Sequence, residues 1–398
     1  MFSICQAVVV LASAVVPPAG PTVDEEAFVN PVLEGSPALR VIAEPLRRAE
    51  AALARAGVAP NPRLEAGQEA PADTPRQTTV TLAWAPPLDG RRGLAVRAAR
   101  AGVDAARART EVARVALRVE LRQVFADWAL SAGRRNVLAS QADRVGQLTE
   151  QVAARSRAGE ESGLSARRLA LAEAELRAGL AQAEASAVRA RAIAHAWRPD
   201  LDPDARPARP VLPAPTGTDV IASLGLEALQ HDTEQARFEE RLSRRLWAFP
   251  ELQVGWQRLA VAGGARTGPV FGAAMVVPVL DRNKSGRLES AARREAAEAR
   301  LALETARFTA QLAGAREAYA GLVAAAHSAE DVAADSDRVV EAATAAFRAG
   351  EASMTDLLDT LRAAREAQTR ALDLHAAALA AHRQLEAVSV GVPEGGLR

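Results

Sequence analysis

Two spans of this chain, residues 89–159 and 281–350, contain no proline. A helix filling about 65 residues of either span, at 1.5 Å per residue, would be about 100 Å long, which a globular domain cannot hold. Both spans close on the same tetrapeptide, Arg157-Ala158-Gly159-Glu160 and Arg348-Ala349-Gly350-Glu351. Upstream landmarks repeat in the same order: Asn61-Pro62-Arg63-Leu64 answers Phe249-Pro250-Glu251-Leu252, and Pro87-Leu88-Asp89 answers Val279-Leu280-Asp281. Self-similarity at a step of about half the chain predicts a tandem duplication. Each unit is expected to run short helix, strand, strand, very long helix, tight break, long helix.

The apolar positions keep helical spacing: Leu117, Leu121, Val124 and Trp128, then Leu138, Val145, Leu148 and Val152 in the first copy, and Phe308, Leu312, Tyr319, Leu322, Val332 and Val339 in the second. Seven-residue steps such as Val332 to Val339 imply coiled-coil packing against neighbouring helices. Many seam positions are alanine, which admits close approach but removes little apolar area from water, so one copy needs further helices from the other copy or from other chains. Beyond each tetrapeptide the pattern resumes, with Leu164, Leu169, Leu176 and Leu180 in one copy and Met354, Leu358, Leu361, Leu372 and Leu379 in the other. Each copy therefore ends in a helical hairpin with its tip at 159–165 or 350–355. Pro199, Pro203, Pro207, Pro210, Pro213 and Pro215 predict a stiff, non-helical crossover at 199–216.

Charge and composition exclude several classes. Forty-nine basic and 49 acidic residues among 398 leave no surplus for a nucleic-acid backbone. The single cysteine, Cys5, rules out a disulfide framework, a cysteine metal site and a thiol nucleophile. It lies in an apolar run, 4–16, that ends in Ala12-Ser13-Ala14; residues 1–20 are expected to be a secretory segment, atypical in having no Lys or Arg before the run. No other stretch reaches the ~20 apolar residues of a membrane-spanning helix. His375 and His382 are two turns apart on one helix face, ~10 Å, too far to share an ion unaided, so the five histidines are expected to be packed or solvated rather than metal ligands. No catalytic motif has supporting context, and neither an enzyme activity nor a cofactor is expected.

Val80, Leu82 and Trp84 alternate with Thr79, Thr81 and Ala83, and Leu252, Val254 and Trp256 alternate with Gln253, Gly255 and Gln257. Partner strands are available at 62–70 and 269–277 through turns at 71–76 and 260–268. Two hairpins of about nine-residue strands result, the length a tilted membrane strand needs. The alternative is a soluble hairpin packed on the helices. Four strands cannot close a barrel, and open edges are not tolerated in lipid, so a membrane role requires oligomerisation.

Strands for a barrel joined to helices too long for a globule, in duplicated order, resemble the TolC-like outer-membrane efflux factors over about residues 24–391. The resemblance rests also on Asn61-Pro62-x-Leu64 leading into the first strand. A further match is Phe347-Arg348-Ala349-Gly350-Glu351-Ala352-Ser353-Met354-Thr355-Asp356-Leu357-Leu358-Asp359, the pattern of the family's second hairpin tip. Pro278-Val279-Leu280-Asp281-Arg282-Asn283-x-x-Gly286 is similar to the strand-to-helix corner of the heavy-metal, cobalt–zinc–cadmium branch. The resemblance implies a mainly α fold with a small β part. It implies a homotrimer whose chains share a twelve-stranded barrel in the outer membrane, continuous with an α-helical tunnel through the periplasm. It implies docking to a periplasmic adaptor (membrane fusion protein) and an inner-membrane pump of the resistance-nodulation-division type. Such a protein would be a passive conduit for small solutes or metal cations.

Asp356 and Asp359 share one face of the helix leaving the second tip. From the residues alone they suit either a helix-start turn, where the macrodipole favours Asp, or a ring of carboxylates at a tunnel mouth; the resemblance favours the constriction. Arg157, Gly159, Glu160, Arg348, Gly350 and Glu351 are the expected adaptor-contacting tip residues, against the plainer alternative of solvated charge. The first tip, 162–167, lacks the second tip's Asp. The expected division is 1–20 signal segment, 21–198 first repeat (strands about 62–70 and 77–85, hairpin about 90–197), 199–216 linker, 217–391 second repeat (strands about 251–259 and 269–277, hairpin about 284–389) and 392–398 tail. The rival function is a soluble periplasmic coiled-coil scaffold or adaptor without a barrel; a scaffold has no need of paired nine-residue alternating segments at equivalent positions in both copies, whereas a conduit needs them in both.

Overall fold

In the computed structural model, residues 20–70, 76–215, 223–261 and 263–391 are described; the expected signal segment and the C-terminal tail lie outside them. In chain order the elements are β1 (Thr22–Val23), α1 (Glu25–Gly35), α2 (Ala38–Ile42), α3 (Glu44–Gly57), β2 (Arg63–Glu69), β3 (Gln77–Trp84), α4 (Arg91–Arg157), α5 (Gly163–Trp197), β4 (Arg206–Pro207), α6 (Leu224–Ser243), β5 (Glu251–Val261), β6 (Gly264–Ala274), α7 (Lys284–Ala349) and α8 (Met354–Val390). The proline-free spans form unbroken helices of 67 and 66 residues, α4 and α7. The chain divides into two compact units, and the long helices contribute to both.

The first unit comprises residues 20–34, 121–213 and 322–379. Its core lies where both helical hairpins turn: Val145, Leu148 and Val152 of α4 meet Leu169 and Leu176 of α5, Phe347 of α7, and Met354, Leu357 and Leu358 of α8. Elsewhere in the unit Phe28 of α1 packs on Phe125 and Trp128 of α4, ring centroids 5.7 and 6.3 Å apart, and anchors the N-terminal helix. The proline-rich crossover is pinned as well as stiff. β4 pairs in parallel with β1, and the Arg198 guanidinium donates to both carboxylate oxygens of Asp200 and to the carbonyls of Ala27 and Phe28. Val332 and Val339, assigned to packing by their spacing, are exposed in the single chain.

The second unit comprises the described parts of Gly35–Glu120, Ala214–Gly321 and Ala380–Arg398. It carries an antiparallel sheet in the order β2-β3-β5-β6. Val80 pairs with Trp256, Leu82 with Val254, and Val254 with Phe271. The second hairpin is tighter than expected. β6 begins at Gly264 rather than near 269 because Gly263 and Gly264 take positive φ and turn the chain directly after β5, and it stops at Ala274, the partner of β5's first residue, Glu251. Val276 and Val277 accordingly fall outside the sheet.

Each second strand reaches its long helix through an Asp corner. Asp89 Oδ1 accepts from the Arg91 N–H at 3.0 Å, and Asp281 Oδ1 accepts from the Asn283 N–H at 2.8 Å. Asn283 sits at φ 51°, a conformation Asn tolerates, and its side-chain amide donates to the Ser243 carbonyl at 2.9 Å. A Cβ at Gly286 would come within 2.4 Å of the Asn283 side chain. The residues that suggested the heavy-metal branch thus form a backbone corner.

Leu357 is fully buried in the tip core. Leu357→Ala is expected to cost about 2–5 kcal/mol, since the transfer term and the residual cavity add, whereas Leu357→Met should cost less than about 1.5 kcal/mol. Denaturant unfolding of the purified protein followed by far-UV circular dichroism checks both values.

Candidate functional site

The sheet has two chemically different faces. One carries Leu64 and Ala66 of β2, Val80, Leu82 and Trp84 of β3, Leu252, Val254 and Trp256 of β5, and Pro269 and Phe271 of β6. These side chains are exposed, Trp256 at 61% and Phe271 at 77%. The other face carries Glu65, Glu69, Thr79, Thr81, Gln253 and Gln257, together with an ion pair between Arg63 and Glu251. A soluble hairpin lying on helices would do the reverse, burying its apolar side. An outward apolar face backed by a polar one is the pattern of a strand between lipid and an aqueous lumen. Gly255 sits on the polar face opposite Thr81, and a Cβ there would meet the Val80 carbonyl oxygen at 2.2 Å, so the close approach of β3 and β5 requires glycine.

The two hairpin tips share one backbone geometry. α4 ends with the Glu160 N–H donating to the Arg155 carbonyl at 2.9 Å and the Gly159 N–H to that of Ser156 at 3.2 Å. α7 repeats it with Glu351 to Ala346 at 2.9 Å and Gly350 to Phe347 at 3.1 Å. This is the Schellman motif, which needs a left-handed residue, and Gly159 and Gly350 take φ 80° and 79°. The predicted tip charges are exposed. The Arg157 Nε donates to the Ala153 carbonyl at 3.3 Å, Arg348 donates to Gln151 at 3.0 Å, and Glu160 lies 3.8 Å from Arg155. Arg168 of the first tip donates to the Thr355 hydroxyl of the second at 3.3 Å, so the six predicted tip residues sit on neighbouring corners.

The next helices are capped differently. Ser162 Oγ accepts from the Ser165 N–H at 3.0 Å. At the second tip, Ser353 Oγ accepts from the Asp356 N–H at 3.2 Å while the Asp356 carboxylate accepts from the Ser353 N–H at 3.1 Å and its hydroxyl at 2.7 Å. That reciprocal capping box follows from Ser and Asp three apart. The Ser353 hydroxyl, and then its backbone N–H, hold the Asp356 carboxyl below the ordinary 3.8. Asp359 is exposed on the same helix, 3.9 Å from Arg362. The sequence pair is therefore brought to one exposed face, with Asp356 committed to the cap and Asp359 bonded only loosely.

Two buried polar groupings of the first unit went unread in the sequence. His375 is buried with Nδ1 2.8 Å from Glu330 and Nε2 2.9 Å from the Pro210 carbonyl, fastening the crossover to α7 and α8. Gln368 donates to the buried Ser336 hydroxyl at 3.0 Å and to Asp337 at 3.3 Å, and Arg144 of α4 meets Asp337 at 2.9 Å. Both are made by residues far apart in sequence, so no local motif announces them. Among the described residues no three His, Cys, Asp or Glu side chains cluster to hold a metal ion, and no helix is long and apolar enough to cross a membrane.

No protein-family model matches the chain, and no curated protein matches it in sequence. Solved structures do match in fold. CusC, described for the folding and formation of a transmembrane channel, superposes with a TM-score of 0.74 over 92% of this chain and 90% of that one, at 14% identity. The outer-membrane protein VceC of Vibrio cholerae gives 0.73 over 93% and 97%, at 15% identity. The outer-membrane channel OprN gives 0.73 over 91% and 89%, at 19% identity. The chain has the fold of these outer-membrane channels. Their similar scores single out no branch, so the heavy-metal assignment gains nothing from the comparison.

The Asp356 cap supplies a pH test. Because the carboxyl is held lower in the folded chain, its contribution to the tip is complete above about pH 3.8 and is lost as pH falls through the lowered value. Amide hydrogen exchange at Ser353 and Asp356 should lose protection across that acidic window in the wild type. In Asp356→Asn protection should be weaker at neutral pH and should not change across the same window.

Proposed function

We propose that this chain is one protomer of an outer-membrane channel, the passive exit duct of a tripartite efflux system, without catalytic activity. One observation carries the reading: in a chain with the fold of outer-membrane channels, the apolar face of the sheet is the exposed one. The soluble scaffold would leave those tryptophans, valines and the phenylalanine in water for no structural return. The sheet order leaves β2 and β6 as edges, and open edges are excluded from lipid. Edge-to-edge pairing of three chains, each with four strands, closes a twelve-stranded barrel, which supports the homotrimer. Membrane strands in the two copies, duplicated hairpins and the linker between them fit the two-repeat division of the chain.

The tips are the proposed docking points for a periplasmic adaptor and, through it, a resistance-nodulation-division type pump in the inner membrane. Arg157, Gly159, Glu160, Arg348, Gly350 and Glu351 share matching Schellman corners whose side chains point to solvent. Asp356 and Asp359 are the proposed constriction, with Asp359 the freer carboxylate. Cargo, small solutes or metal cations, is selected upstream of a passive duct.

Three measurements test the reading. The protein should fractionate with outer membrane and run as a trimer by mass in mild detergent; a monodisperse soluble monomer overturns it. Gly350→Val forces a β-branched residue into φ 79° and should abolish efflux-dependent resistance while the trimer persists. In planar bilayers, Asp356→Asn with Asp359→Asn should lower cation selectivity and weaken block by multivalent cations. Unchanged selectivity would remove these two residues from the pore.

A further inference from the structure

The apolar face of the sheet ends in a polar row. Gln68, Thr78, Arg258 and Thr267 lie side by side across β2, β3, β5 and β6, one row beyond Ala66, Val80, Trp256 and Pro269 toward the hairpin turns. Arg76 stands on the same face two residues beyond Thr78, since its carbonyl accepts from the Ala260 N–H at 2.8 Å. Arg76 and Arg258 are therefore diagonal neighbours on adjacent strands, with Cα atoms ~7–8 Å apart. Both are exposed, and among the described residues neither guanidinium has a carboxylate partner. The sheet's own acids, Glu65, Glu69 and Glu251, all fall on the opposite face.

The result is a row of hydrogen-bond donors, two of them permanent cations, with no carboxylate beside it, at the border of an apolar surface. Arginine at mid-membrane is costly, but the cost falls to near zero at the interface, where the long side chain can reach the headgroups. Guanidinium binds phosphate bidentately, and the Thr78 and Thr267 hydroxyls flank Arg258 with further donors. We propose that Arg258 and Arg76, with Thr78 and Thr267, bind the phosphate groups of anionic lipids at the turn-side boundary of the membrane. The site rests on the membrane reading above and adds a headgroup preference to it.

Trp256 lies one row inside Arg258 and reports on that site. The full-length protein is reconstituted in phosphatidylcholine vesicles containing a small fraction of brominated phosphatidylglycerol or brominated phosphatidylcholine. The signal from Trp256 is the difference between the wild type and Trp256→Phe. At low salt the anionic quencher should be at least about fivefold more effective than the neutral one, the enrichment expected of a single arginine near a charged headgroup and so the minimum for a site with two. The preference should fall to about one in Arg76→Gln with Arg258→Gln, while neutral-lipid quenching, which reports intact insertion, stays unchanged. Equal quenching by the two lipids in the wild type, or a preference that survives the double substitution, overturns the site and leaves the barrel standing. Absence of quenching by either lipid overturns the membrane reading itself.

Discussion

An alanine-rich helix has no intrinsic end, and this architecture depends on where its two longest helices stop. α4 and α7 stop at glycines held at positive φ, each donating one of a pair of reverse hydrogen bonds while the residue after it donates the other. Moving either stop by one residue would rotate the returning helix by about 100° and carry its apolar stripe off the seam. The tip core shows what the stop secures: Leu169 and Leu357 are fully buried within a few residues of the turn, one on each returning helix. Capping then fixes the restart, through Ser162 on one tip and the Ser353–Asp356 box on the other.

The sheet obeys a constraint of a different kind. Side-chain period in a strand is two, so a slip of one residue exchanges the faces completely. Cross-strand pairing places Arg63, Glu65, Glu69 and Glu251 together on one side and every aromatic residue of the four strands on the other. That separation is possible only in one register. It also makes the soluble and membrane readings opposite predictions about exposure rather than shades of one another.

Most of the frame was legible because its signals are local. Missing prolines announced the long helices, the repeated glycine corner announced the hairpins, and strict alternation announced β3 and β5. The Ser353-to-Asp356 spacing of three also carries the capping-box signature, so the helix-start role of Asp356 lay in the sequence beside the constriction role proposed for it. The end of β6 is not legible locally, because 270–277 is apolar on both faces and what limits the strand is its partner, whose first residue, Glu251, pairs with Ala274. Contacts between distant residues left no trace: the β1–β4 pair, and His375 between Glu330 and Pro210. Nothing within a dozen residues of His375 distinguishes it from the exposed His327 on α7.

The heptad pattern itself divides into a seam the chain closes and one it does not. Val145, Leu148 and Val152 are buried, whereas Val332 and Val339 of α7, and Leu164, Leu171 and Val188 of α5, remain exposed in the same unit. Scattered apolar residues on a surface need no explanation, but residues at coil spacing do, because the seven-residue period has a function only against a facing helix. Alanine-rich seams remove little area each, so leaving the larger valines and leucines outside would forfeit much of the stabilisation the helices can gain. The sheet poses the same problem with its two open edges. In the trimer proposed above, edge pairing would close the sheet, and other copies would offer α5 and α7 the facing helices their exposed stripes call for.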